Sequence, residues 1–266
     1  YRNKVEFKVG KNYEIGYFKR GTHEIYPVEK SIIQKETADI VVRILKEYMK
    51  KYKVEGYDRK SKKGIIKNLI VRTNRDNQVM VIVVTKNEKL PHKKELIDLL
   101  IGQKEVQVIS IYQNINSKDT SVILGPKDIK LYGEDRLIDY IGEYKFLISP
   151  KSFFQVNPVQ TEVLYDKVVE YLNLTGNETV ADLYCGIGTI SLYISKYAKK
   201  AYGVEIVREA IEDANENKRI NKVDNVEFIL GKSEDILPKL NEKGIKIDAI
   251  VVDPPRKGLD RSLIDS

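Results

Sequence analysis

Two carboxylates, a pair of glycines and one cysteine in the last third of the chain have the types and spacing to hold a nucleotide-like ligand and act beside it. The stretch Asp182-Leu183-Tyr184-Cys185-Gly186-Ile187-Gly188, within Thr179 to Ser191, leads an apolar run into the amphipathic Ile190-Ser191-Leu192-Tyr193-Ile194. It reads as strand, tight turn and helix. Gly186 and Gly188 remove the Cβ atoms that would keep a ligand off the backbone, and the helix start at Thr189 presents unpaired N–H groups. Glu205 closes Ala201-Tyr202-Gly203-Val204, about 20 residues after the glycines. A doubly wound nucleotide fold places there the carboxylate that accepts hydrogen bonds from two ribose hydroxyls. Asp253 closes Ile247–Val252 and precedes Pro254-Pro255, which stiffen the loop and hold the acid at a strand end, where open α/β sheets bind ligands.

These residues need a scaffold, and the sequence around them supplies one. Four strand-like runs ending near residues 183, 205, 230 and 252 alternate with helices over Gly188–Lys196, Val207–Asn221 and Glu234–Leu240. That alternation predicts a parallel, Rossmann-like sheet with helices on both faces. Upstream, strands are expected at Lys4–Val9, Tyr13–Lys19, Leu69–Thr73, Gln78–Thr85, Val106–Tyr112, Ser121–Leu124, Leu137–Ile141 and Tyr144–Ile148. Helices are expected at Lys35–Tyr52, where apolar residues recur from Ile40 to Met49 opposite lysines, and at Pro91–Ile101. The expected division is an α+β domain over 1–145 and the Rossmann-like domain over 146–266.

Composition bounds the partners. Residues 1–75 carry 20 Lys/Arg against 9 Asp/Glu, and the remainder 26 against 30, so the basicity is concentrated at the N-terminal side. That is the footprint of a polyanion-binding surface. Arg59-Lys60-Ser61-Lys62-Lys63 is a basic loop that reads either as a phosphate grip or as a solvated surface. No apolar run approaches membrane-spanning length, and a single cysteine excludes an internal disulfide and fits a reducing cytoplasm. His23 and His92 have no partner at metal or triad spacing, and no metal site is expected.

The order of Asp-Leu-Tyr-Cys-Gly-Ile-Gly, Gly-Val-Glu, Asn-Val-Glu-Phe and Asp-Pro-Pro-Arg-Lys-Gly resembles a class I S-adenosylmethionine (SAM)-dependent methyltransferase. Ser149-Pro150-Lys151-Ser152-Phe153-Phe154-Gln155-Val156-Asn157-Pro158 narrows the resemblance to the RNA (uracil-5-)-methyltransferases of 23S ribosomal RNA and transfer RNA. The resemblance is dense over 149–260. It implies SAM as cofactor, with Gln155, Tyr184, Gly186, Gly188, Thr189, Glu205 and Asp253 around it, and Asp253 placed where cofactor and target base meet. It implies RNA as partner, ribosomal RNA ahead of transfer RNA. Family members that hold an iron–sulfur cluster use four cysteines, one of them in a segment like Pro27–Gln34; here that position resembles Ser31, so no cluster is expected.

In that family a cysteine thiolate adds to carbon 6 of uracil, the resulting enolate takes the methyl group at carbon 5, and a base removes the carbon-5 proton before the thiolate leaves. The family nucleophile lies in a later Ser-Cys-Asn-Pro motif, and its general-base glutamate is later still. Cys185 sits in the cofactor turn and is expected to be a small packed residue. A methyltransferase sheet with four strands is incomplete and leaves Ile247–Val252 as an apolar edge. The 266 residues, opening on Tyr1, are therefore expected to be part of a longer enzyme. Two alternatives stand beside that reading: a SAM- and RNA-binding chain without turnover, and an RNA amino-group methyltransferase, which needs no cysteine. Arg256 stands where the amino-methyltransferases usually carry an aromatic after the prolines, which favours uracil.

Overall fold

The computed structural model describes residues 1–256 and 258–264 and divides into two compact units, Tyr1–Leu137 and Ile138–Ser266. Lys257, inside the Pro-Arg-Lys-Gly segment, lies outside the described residues.

The first unit is a seven-stranded mixed sheet with two helices. Its strands are β1 (Lys4–Val9), β2 (Ile15–Phe18), β3 (Ile25–Pro27), β4 (Ile66–Thr73), β5 (Gln78–Thr85), β6 (Gln107–Ile115) and β7 (Lys127–Gly133), in the order β3-β2-β1-β4-β5-β6-β7. All neighbours are antiparallel except β5 and β6, which are parallel and joined through a helix, as a parallel connection requires. That helix is α2 (Lys93–Ile101); α1 (Glu36–Tyr52) precedes β4. The apolar stripe of α1, Val41, Ile44, Leu45, Tyr48 and Met49, is buried with Phe7, Leu69, Val81 and Leu96 in one core. Lys53 ends α1 in the left-handed conformation, and Val54 N–H donates to the Met49 carbonyl, a cap that satisfies one of the helix's last acceptors.

The expected strand at Ser121–Leu124 does not form. Asn116 Nδ2 donates to the carbonyls of Val122 and Ile123, and Asn114 takes both backbone groups of Gly125, so side-chain amides replace a ladder there. The strand that does form is β7, a few residues later. The short β3 was also not expected.

In the second unit a hairpin of β8 (Leu137–Ile141) and β9 (Tyr144–Ile148) comes first, then α3 (Pro158–Leu172), β10 (Thr179–Leu183), α4 (Thr189–Ile194), β11 (Lys200–Glu205), α5 (Arg208–Ile220), β12 (Val226–Leu230), α6 (Ser233–Glu242), β13 (Ala249–Val252) and the short α7 (Arg261–Ile264). The sheet order is β12-β11-β10-β13, every pair parallel. Counting only the strands of this sheet the order is 3-2-1-4, the doubly wound order, with the reversal of direction beside β10. Among the described residues β13 pairs with β10 alone, and Ile250 and Val252 are exposed along it.

The division between the units falls earlier than the expected 145/146 boundary because β9 is claimed by α5. Asn217 Oδ1 accepts from Leu147 N–H at 2.8 Å, and Asn221 accepts from Lys145 N–H and donates to its carbonyl at 2.8 and 2.6 Å. Two asparagines one helical turn apart thus complete a strand edge, since residues four apart share a helix face. The helix α3 was not expected; Asn157 caps it, accepting from Gln160 N–H, and Pro158 opens it, the arrangement that favours a helix start.

Candidate active site

The carboxyl ends of β10, β11, β12 and β13 open into one cavity of about 900 Å³ in the second unit. Gln155, Tyr184, Gly186, Thr189, Glu205 and Asp253, six of the residues singled out in the sequence, border it. Gly188, the seventh, does not. Both glycines have positive φ, but a Cβ on Gly186 would enter open space, whereas one on Gly188 would meet the Phe228 ring at 2.4 Å. Gly186 therefore leaves room for a ligand, and Gly188 leaves room for the packing of the turn on β12.

The turn is held from three sides. Asp182 accepts from the N–H and hydroxyl of Ser191 at 2.9 and 2.6 Å, tying the strand to the first turn of α4. Asn217 Nδ2 donates to the Ile187 carbonyl at 3.1 Å, so the α5 residue that supports β9 also supports the turn. Thr189 Oγ1 and Tyr165 OH, on α4 and α3, are hydrogen-bonded at 2.8 Å. Tyr184 adopts the left-handed conformation at φ 67, which costs a non-glycine residue about 1–2 kcal/mol. Such strain is retained only where the surroundings over-determine it.

Glu205 already serves as an acceptor. Its Oε2 takes the Gly186 N–H at 3.1 Å, and Oε1 takes those of Ile206 and Val207 at 2.8 and 2.9 Å. A carboxylate has about four acceptor positions, so Oε2 keeps one. Across the cavity Gln155 Nε2 donates to Asp253 Oδ2 at 3.1 Å, joining the Phe-Phe-Gln segment to the Asp-Pro-Pro loop. The Phe-Phe-Gln segment is itself anchored. Ser152 Oγ donates to the buried Asp213 on α5 at 2.8 Å and accepts from Ser149 N–H at 2.9 Å.

The electrostatics separate the acids from the cysteine. Burial is the main cause that raises Asp182 to about 7, against the bonds from Ser191 that lower it, and its second oxygen makes no hydrogen bond. Burial, followed by the nearby Asp182 and Glu205 carboxylates, pushes the Cys185 thiol well above its ordinary range. The thiol is therefore protonated at neutral pH, and a thiol is not the nucleophilic form.

Sequence reasoning passed over Gly231, Lys232, Ser233 and Glu234, which border the cavity at the end of β12 and the start of α6. The signal was available: they follow a third parallel strand, and ligands in such sheets lie beyond the carboxyl ends of several strands. Asp182, Asp213 and Asn217 were missed because their partners are distant in sequence. Among the described residues no group of three or more His, Cys, Asp or Glu is placed to hold a metal ion.

Comparison with known proteins gives a consistent result. The model of the tRNA (uracil-5-)-methyltransferase family matches residues 1–266. An uncharacterized RNA methyltransferase of Clostridium tetani is 54% identical over the whole chain, and one of Bacillus cereus (strain ATCC 14579) is 44% identical. The chain spans 58% and 59% of the lengths of these two relatives. Among solved structures, the Pyrococcus abyssi tRNA (uracil-54, C5)-methyltransferase in complex with S-adenosyl-L-homocysteine superposes with a TM-score of 0.81 at 27% identity, over 99% of this chain and 62% of that one.

Proposed function

The chain belongs to the tRNA (uracil-5-)-methyltransferase family, a SAM-dependent family, and from that premise we propose that it holds SAM in the cavity of the second unit and serves methylation of uracil carbon 5 in RNA. The observation that carries this reading is the convergence of Gly186, Glu205 and Asp253 on one cavity at the carboxyl ends of parallel strands in 3-2-1-4 order. Ribosomal RNA is the favoured substrate and transfer RNA the second, on the resemblance of the segment around Ser31 to the 23S-type enzymes.

The cavity residues fit the cofactor. Glu205 has acceptor capacity for a ribose hydroxyl, Gly186 leaves space beside the turn, and Tyr184 and Thr189 lie along the same wall. SAM, when bound, supplies an electrophilic methyl group. Asp253 is held by Gln155 and would orient the groups that meet at the end of β13. Attack at carbon 6 needs a thiolate, and burial keeps the Cys185 thiol in its protonated form, so on this reading Cys185 is not the nucleophile.

Two measurements test the reading. Glu205→Gln should weaken SAM binding by about tenfold or more in titration calorimetry, because a hydrogen bond to a charged group is worth roughly 1.5–3 kcal/mol. Unchanged affinity removes Glu205 from the cofactor site. RNA methylated by the complete enzyme should yield 5-methyluridine on nucleoside analysis; an N-methylated purine would replace the uracil reading with amino methylation.

A further inference from the structure

A second cleft, of about 650 Å³, lies wholly in the first unit, between the β1–β2 hairpin and the loop before β4. Six lysines and arginines border it against three carboxylates, Glu14, Glu24 and Asp58. Two of the three are engaged. Glu24 pairs with Lys19 at 3.0 Å, and Asp58 folds its own loop by accepting from the N–H groups of Lys60 and Ser61 and from the Ser61 hydroxyl. Three of the cations are crowded together. Burial, then the charge of Arg59, and to a lesser extent that of Lys67, lower Lys8 from the ordinary lysine range. Lys67 is lowered too, by burial and then by Arg59 and Lys86, against the opposing pull of Asp119. Lys67 is tied to the carbonyls of Asn116 and Lys118 at 3.1 and 2.6 Å and pairs with Asp119 at 3.5 Å, so it is fixed in the cleft floor with its charge partly offset, and Lys8 and Arg59 are left to meet an anion.

Flat rings stand beside these charges. Phe18 and His23 meet edge to face at 5.3 Å, Lys8 Nζ lies 5.3 Å from the Phe18 centroid, and an Arg59 nitrogen is 3.5 Å from His23 Nε2. Like charges held together are stabilised by an anion placed among them, and aromatic faces beside cations take an unstacked base. A free phosphate would use only the cations, and a duplex hides its base faces.

We propose that this cleft binds a single-stranded RNA segment, with a phosphate between Lys8 and Arg59 and the adjoining base against Phe18 and His23. The proposal rests on the RNA reading above and adds a contact that the cofactor cavity does not supply. The test is fluorescence anisotropy of a labelled single-stranded 12-nucleotide RNA with the full chain across a range of salt concentrations. Lys8→Ala/Arg59→Ala should reduce the slope of log affinity against log salt by about 0.7, the contribution of the one phosphate that the two side chains share on a single strand. Phe18→Ala should weaken binding by about tenfold while leaving that slope unchanged, as loss of stacking does. Lys11→Ala/Lys60→Ala, at two exposed positions of the same cleft, repeats the slope test without disturbing packing. Lys50→Ala/Lys51→Ala, exposed on α1 outside the cleft, should change neither quantity. If the wild type binds RNA and the cleft variants match it, the cleft proposal is overturned and the RNA reading stands. Equal losses from Lys50→Ala/Lys51→Ala, equal affinity for a duplex, or full competition by millimolar inorganic phosphate would also overturn it. If the wild type binds no RNA, both fall.

Discussion

Asp182 is enclosed at the end of β10 with one oxygen bonded to Ser191 and the other unpaired, and its carboxyl is raised from an ordinary value of 3.8 to about 7. The folded chain therefore keeps a proton that the unfolded chain releases between about pH 4 and 7. Stability contributed by that proton is fully present below pH 4, is lost as pH rises through 7, and is constant above it. Asp182→Asn cannot ionise, so its unfolding midpoint should lack this component. The change in wild-type unfolding free energy between pH 5 and pH 8 should exceed that of the variant by roughly 2–4 kcal/mol. Identical pH profiles for the two proteins would show that Asp182 is already charged in the fold. The two glycines nearby show how far a motif can be read at this scale. Their spacing identified the turn, but Gly186 and Gly188 look alike in sequence. Only the position of Phe228, 40 residues on, shows that one glycine faces the cavity and the other faces packing.

At the scale of elements, α5 joins parts that are separate in the chain. Asn217 bonds Leu147 and Ile187, Asn221 bonds Lys145, and Asp213 receives Ser152, so one face of this helix fixes β9, the glycine turn and the Phe-Phe-Gln segment. Asn217→Leu removes the amide at nearly constant size and leaves a half-buried donor, the Leu147 N–H, and a buried acceptor, the Ile187 carbonyl, unpaired, at about 1–3 kcal/mol each. The variant should lose roughly 2–4 kcal/mol in denaturant unfolding and show faster hydrogen exchange at the Leu147 amide. Unaltered protection of that amide would mean that the helix does not support β9. The long periodic elements were legible: α1 and β5 begin and end within a residue of expectation, because an apolar stripe or a mostly β-branched run repeats over several turns or pairs. β3 has three residues, too few to show a period. α3 was hidden because its exposed face carries Val159, Val163, Leu164 and Tyr171, so its polar and apolar residues do not segregate.

At the scale of the whole molecule, the parallel order of the second unit could be anticipated from alternating strands and helices, and the basic character of the first from its charges. Where the units divide could not, because the claim of α5 on β9 is made by side chains 70 or more residues away. The crowding of Lys8, Arg59 and Lys67 was equally invisible, since it depends on β1 and β4 pairing with Lys8 opposite Asn68. That crowding gives salt two opposed effects on one protein. Mobile ions shorten the reach of repulsion to about 10 Å at 0.1 M, which relieves the three cations and should raise the melting temperature of the transition that reports the first unit. The same ions compete with phosphates and should weaken RNA binding over the same range. A calorimetric melt and a binding isotherm recorded at matched sodium chloride concentrations should therefore move in opposite directions. A melting temperature that responds to salt identically in the wild type and in Lys8→Ala/Arg59→Ala would show that the cluster is not repulsive in the fold. A surface built this way would exchange affinity for stability as salt rises, holding a polyanion least where the fold beneath it is under least strain.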